Sequence, residues 1–187
     1  MRETTYLSGQ FLIAMPSLSD PNFNGTVSYI CEHSDQGALG IVINRPSDLM
    51  LGEILDQLAL TPANPALRDQ PVYSGGPVQQ DRGFVLHDGD GEWDSSMAVG
   101  TGVSVTTSRD ILAAIASGNG PGKTLIALGY AGWGAGQLER EIAANAWLSV
   151  AADSAILFDT PHPARYQAAA RLLGIDLALL STESGHA

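Results

Sequence analysis

Lysine is almost missing from this chain: Lys123 is the only one, and the remaining basic residues are arginines scattered singly among 20 acidic residues. The formal net charge is −11, and no basic stripe is available to neutralise a phosphate backbone, so direct contact with nucleic acid is not expected. Anionic membrane surfaces are disfavoured on the same ground. Cysteine is equally scarce. Cys31 stands alone, so no intramolecular bridge can form, which excludes a disulfide-stapled scaffold and suits a reducing compartment. Long apolar runs are missing near the N-terminus, where Phe11–Met15 spans five residues, too few for a signal peptide or a membrane span. A cytoplasmic protein is the expectation.

The signatures of familiar chemistry are missing too. Ser117–Thr124, SGNGPGKT, lacks the first glycine of a phosphate-binding loop and follows a helix pattern where such a loop would open one. The glycines from Gly132 to Gly136 fail the dinucleotide fingerprint, because its third glycine position holds Glu139. No nucleophile elbow appears. His87, His162 and His186 stand without ligand spacing, so no metal and no cofactor is assigned.

What is present suits one domain over residues 1–187, with 44% hydrophobic composition to bury a core. Strand patterns cover Tyr6–Met15, Thr26–His33, Ala38–Ile43, Val72–Ser74, Arg82–His87 and Val99–Thr106. Ala38–Ile43 is apolar on both faces, which places it centrally in a sheet, and the short polar turn before it makes a hairpin with Thr26–His33. A helix with Leu51, Ile54, Leu55 and Leu58 on one face is expected to be capped by Ser47 or Asp48. Thr61–Pro71, with three prolines and no periodicity, reads as an exposed, flexible connection. Thr107 with Asp110 resembles a capping box for a helix over Arg109–Ser117. Asp88–Asp94 reads as an acidic, solvated tip. Leu148–Ala151 and Ala155–Phe158 have the length of edge strands, Ala164–Leu173 is helical up to Gly174, and the tail 181–187 is expected to fray. Hairpins with irregularly inserted helices argue for an α+β class.

The stretch Lys123–Trp147, KTLIALGYAGWGAGQLEREIAANAW, carries the strongest site signal. A strand over Thr124–Leu128 should end in a turn rich in glycine and lead into a helix from Gln137, presenting free N–H groups. Trp133 and Trp147 are expected to wall a concave surface there, with Gln137 as polar reader of a neutral or zwitterionic, partly planar ligand, a phosphorylated one coming second. The alternative is that both indoles simply pack the helix onto the sheet. Glu139 and Glu141, two apart, face different ways and act as partners of the helix dipole. Cys31 and His33 share a strand face, which raises a redox or nucleophilic thiol; roughly 7 Å between such neighbours makes an inert core cysteine the simpler reading. Arg45, after the central strand, should lie near the core with a carbonyl or carboxylate partner.

The blocks GQFLIAMPSLSDPNF, YICEHSDQGALGIVINRP, SGGPV, GFVLH and GYAGWGAGQLEREIAANAW follow one another from Gly9 to Trp147, and in that order they resemble the successive motifs of the YqgE/AlgH family. The closing PARYQAAARLLG is similar to the family's last helix. The resemblance implies an α+β fold in which a bent, bifurcated, mostly antiparallel sheet curls into a pseudo-barrel flanked by helices. It implies no reaction; one branch is named as a regulator of alginate production. Candidate ligand-binding residues are Asn44, Arg45, Gly75, Gly76, His87, Gly132, Trp133, Gln137 and Trp147, with no catalytic residue assigned. The functional expectation is a non-enzymatic regulatory protein that binds a small molecule or a protein partner. The alternatives are an enzyme with a site among these residues and an indirect regulator of transcription.

Overall fold

The computed structural model describes residues 6–89, 93–100 and 102–175. The tail 181–187 and part of the acidic tip at 88–94 lie outside them. One sheet dominates. Its strands are β1 (Gln10–Ala14), β2 (Val27–Ser34), β3 (Gly37–Val42), β4 (Pro46–Met50), β5 (Pro71–Ser74), β6 (Val78–Asp88), β7 (Ser96–Gly100), β8 (Val103–Thr106), β9 (Thr124–Gly134) and β10 (Trp147–Ala151). Their order is β10-β1-β2-β3-β9-β6-β8-β7, with β5 branching from β9 and carrying β4. All pairings are antiparallel except the parallel contact of β5 with β9. Helices α1 (Leu51–Gln57), α2 (Arg109–Ser117), α3 (Gln137–Ala143), α4 (Ser154–Phe158) and α5 (His162–Arg171) flank it.

The sheet curls into a half-barrel, and the end of β7 comes back to the start of β1, where Gly100 and Gly9 meet backbone to backbone. One face buries Phe11, Tyr29, Phe84 and Leu86 under Ile156, Leu157 and Ala169 of α4 and α5. On the other face α3 covers Leu12, Ile30 and Trp133, while α1 and α2 cover Val85 and Ile126. Burial on both faces is why the central strands read as unbroken apolar runs. Arg165 of α5 is buried, donating to the carbonyls of Ile43 and Thr160 with its guanidinium 5.0 Å from the Tyr73 ring centre. These contacts tie α5 to the end of β3 and to β5.

The expected turn after Leu128 is instead strand: β9 continues through Gly132 to Gly134. What the glycines permit is a fork. One edge of β9 pairs with β5 at Ala127 and Leu128, then with β3 from Ala131 to Gly134, while the other edge pairs with β6. Gly129, at φ +80°, sits at the branch point. There the Gly75 N–H donates to Leu128 O at 2.8 Å and Gly75 O accepts from the Val42 N–H at 2.9 Å. A Cβ on Gly75 would stand 2.4 Å from Gly129 O, and one on Gly76 2.1 Å from the Tyr130 carbonyl carbon. Only glycine allows the backbones this close.

Other expectations are corrected for local reasons. Ser47 and Asp48 do not cap α1, because Pro46–Met50 is drawn into strand by β5; the Met50 N–H is capped by Glu53 at 2.7 Å. Val99–Thr106 is two strands, β7 and β8, paired as a hairpin. Ser108, not Thr107, is the N-cap of α2. Thr61–Pro71 is not structureless: Pro65–Asp69 forms a 3-10 helix, held to α1 by the two-bond pair of Arg68 with Asp56, both at 2.8 Å. Ala155–Phe158 is helical, its first N–H taken by the Asp153 carboxylate at 2.8 Å. A bulge between Ile30 and Glu32 inserts Cys31 and turns the rest of β2 over. Cys31 therefore stays with Tyr29 in the half-barrel core, and His33 faces α3 instead.

Candidate functional site

The residues singled out in the sequence fall into three structural places. The first is a network of aromatics and loop. Arg45 is half-buried and has partners of the expected carbonyl kind: its guanidinium donates to the carbonyls of Pro21 (2.9 Å), Asn22 (2.6 Å) and Asn24 (2.6 Å). Asn44 accepts from the Val27 N–H at 3.0 Å and donates to Gly25 O at 3.0 Å. Together they fix the loop over residues 20–25, whose Phe23 ring lies 6.1 Å from Trp133 and 5.5 Å from Trp147. The two indoles stand 5.8 Å apart at 78°. Both indole N–H groups donate to one oxygen, Glu141 Oε1, at 3.1 and 2.9 Å, and the other oxygen takes the Gln137 amide at 2.8 Å. Gln137 Oε1 in turn accepts from the Gly134 N–H at 2.9 Å.

This arrangement is closed. Trp133 is 5% and Trp147 2% exposed, and both polar ends of Gln137 are spent on the protein. The two indoles are turned inward and pack α3 and β10 onto the sheet. Glu141, read from sequence as a dipole partner, is the hub of the cluster. Glu139 faces away from it and accepts from His33 Nε2 at 3.0 Å. His33 Nδ1 accepts from the Leu7 N–H at 2.9 Å, so the proton sits on Nε2. That hydrogen bond from His33 holds the Glu139 carboxyl below its ordinary range.

The second place is the fork, where Gly75 and Gly76 press on the backbone of Gly129 and Tyr130. Gly132 lies in β9 opposite Leu39, exposed. The third is His87, fully buried. Its Nδ1 donates to Asp88 O at 3.0 Å and its Nε2 accepts from Thr106 Oγ1 at 2.7 Å, while the Thr106 oxygen receives Ser96 Oγ at 2.5 Å. The chain resembles a nucleophile and its base, yet His87 and Thr106 are each 0% exposed. It serves as a polar ladder joining β6, β8 and β7. Cys31 is likewise buried, and burial pushes its thiol well above the ordinary range, which keeps it protonated.

A cleft of about 480 Å³ opens between α1, α2 and the strands β6 and β9, lined by none of the candidate ligand-binding residues; of those, Gly132 and Trp133 border a separate depression of about 360 Å³ beside Leu39 and Tyr130. The walls of the cleft are Leu49, Ile54, Leu58, Val85, Leu112, Ile126 and Leu128. Around them stand Gln57, Gln80, Asp81, Thr107, Ser108 and Arg109. Arg109 Nη2 donates to Leu58 O at 2.6 Å, linking the start of α2 to the end of α1. These are ordinary residue types drawn from separate elements, and the one legible trace is that the apolar stripe of α1 is wider than its buried residues Leu51 and Leu55 require.

Comparison with known proteins agrees with this fold. The AlgH-like family model matches residues 11–178. The chain belongs to the AlgH-like family. A UPF0301 protein of Thioalkalivibrio sulfidiphilus is 57% identical over 187 residues, all of both chains, and one of Hahella chejuensis is 58% identical over 181 residues, 97% of this chain and 96% of its own. The solution structure of the AlgH protein from Pseudomonas aeruginosa matches with a TM-score of 0.81 at 53% identity, covering 97% of each chain. The crystal structure of a Corynebacterium diphtheriae protein, 20% identical, shares the fold at a TM-score of 0.74 over 97% of this chain and 94% of its own. For this AlgH-like chain, among the described residues no helix is long and apolar enough to cross a membrane, and no cluster of three metal-ligating side chains is found.

Proposed function

We propose that this AlgH-like chain is a cytoplasmic, non-enzymatic regulatory protein whose small-molecule ligand sits in the cleft between α1 and α2. The observation that carries this is the cleft itself: about 480 Å³, with an apolar floor and a short set of polar groups around it. Small-molecule sites have this size and this division of labour, apolar surface giving affinity and a few polar groups giving orientation. The Trp133–Trp147 cluster, by contrast, has spent its polar atoms internally.

The reading is tested with N-phenyl-naphthylamine, a neutral dye that brightens in apolar surroundings. The intact chain should bind it saturably, and Leu112→Trp, which fills the cleft from α2, should abolish that binding while the thermal transition stays cooperative. Equal dye binding by the filled variant overturns the assignment of the cleft. Turnover of any bound compound overturns the non-enzymatic part.

A further inference from the structure

The charges lining the cleft narrow the class of ligand. Among the described residues only two charged side chains line it, Arg109 from the start of α2 and Asp81 from β6. They are exposed, of opposite sign, and not within 4.0 Å of each other; nor is either matched by another opposite charge within that distance among the described residues. Arg109 is held through its bond to Leu58 O, which spends one guanidinium edge and leaves further N–H donors of the fork. Asp110, its neighbour, is occupied elsewhere, taking Ser108 Oγ at 2.5 Å and the Asp94 N–H at 2.8 Å.

From this pairing of separated opposite charges with an apolar floor we infer that the ligand is an amphipathic zwitterion. Its apolar body lies against Ile54, Leu112, Ile126 and Leu128, its anionic group meets Arg109, and its cationic group meets Asp81. A simple amphipathic anion fits less well. It would leave Asp81 facing like charge, and a chain of net charge −11 repels anions at long range. A simple cation would leave Arg109 unmatched. A zwitterion is neutral as a whole and satisfies both local charges. This inference rests on the cleft being the binding site.

The experiment titrates the whole chain calorimetrically with four probes that share one tail: 2-aminodecanoic acid, decanoate, decylamine and decanol. The zwitterion should bind most tightly, and Arg109→Gln and Asp81→Asn should each weaken it about tenfold, the loss of one charge-assisted contact. Both substitutions should leave decanol unaffected. Asp81→Asn touches no bond between α1 and α2, so it keeps the test valid if Arg109→Gln loosens the helices. If decanol, decanoate or decylamine binds as tightly as the zwitterion, or if neither substitution changes the order, the zwitterion is wrong while the cleft stands. If no probe binds, decanol included, the cleft itself is wrong.

Discussion

Glu141 shows how much one side chain can hold. Its two oxygens collect the N–H groups of Trp133, Trp147 and Gln137, and those indoles are nearly inaccessible to water. Removing the acceptor strands buried donors, each costing about 1–3 kcal/mol. Glu141→Ala should therefore lower stability in denaturant melts by about 2–4 kcal/mol, whereas Glu141→Gln, which keeps an oxygen for both indoles, should cost less than half as much. Equal losses would mean that the indole bonds contribute nothing. Glu139 behaves differently because it is 40% exposed. Its carboxyl is held low by His33, so the folded state favours the charged form. The resulting stabilisation is complete above the ordinary glutamate range, near pH 4.3. It is lost as pH falls through the depressed folded value. Glu139→Gln should accordingly destabilise at pH 7, and its gap to the parent in melts should close once the pH is on the acid side of the depressed folded value, where both side chains are neutral. A gap that persists at that pH would assign the effect to shape, not charge.

At the scale of the element, the fork explains why glycine is needed and why its purpose was hard to read. Gly75→Ala puts a methyl 2.4 Å from Gly129 O, against backbone on a strand paired along both edges, so relaxation has to move the sheet. Overpacking of this kind costs about 1–3 kcal/mol and sometimes more, and the expectation is a loss at the upper end of that range. Gly25→Ala would make a poor control, since φ there is +68°; Gly83→Ala, where the nearest atom is 4.0 Å away, is the fair comparison and should be close to neutral. The same elements show how far local pattern reaches. β2, β3, α1, α2 and α5 were legible because alternation and helical spacing record which side of an element meets the core. The second half of β9, beyond Leu128, was not, since glycines read as a turn when only tertiary pairing with β3 makes them strand. Ala155–Phe158, four apolar residues, carries no period long enough to separate strand from helix, and the Asp153 cap decides it. The bulge in β2 left no mark either, so Cys31 and His33 were placed on one face. The cleft was illegible for a related reason: Leu112, Ile126 and Arg109 look like helix and strand residues until α1 and α2 are set side by side.

Over the whole molecule, the charge balance makes the last prediction. Phosphate binding to a duplex relies on several free cations on one surface, each neutralising a phosphate and releasing counterions. Here several of the nine cations are held within the chain. Arg45 is spent on loop carbonyls, Arg68 on Asp56, Lys123 on Asp159, and Arg165 is buried. These belong to different elements on different sides of the sheet, in a chain whose net charge is −11. At 150 mM salt the Debye length is about 8 Å, so scattered cations cannot act together across such distances, while like-charge repulsion still opposes close approach. Fluorescence anisotropy with a labelled duplex should show no saturable binding at that salt and no steep increase on dilution to 20 mM. Submicromolar, salt-sensitive binding to a defined fragment would overturn this and point to direct regulation. Without it, any regulatory effect of this chain has to pass through a ligand or another protein, and the α1–α2 cleft is where the structure offers room for the first.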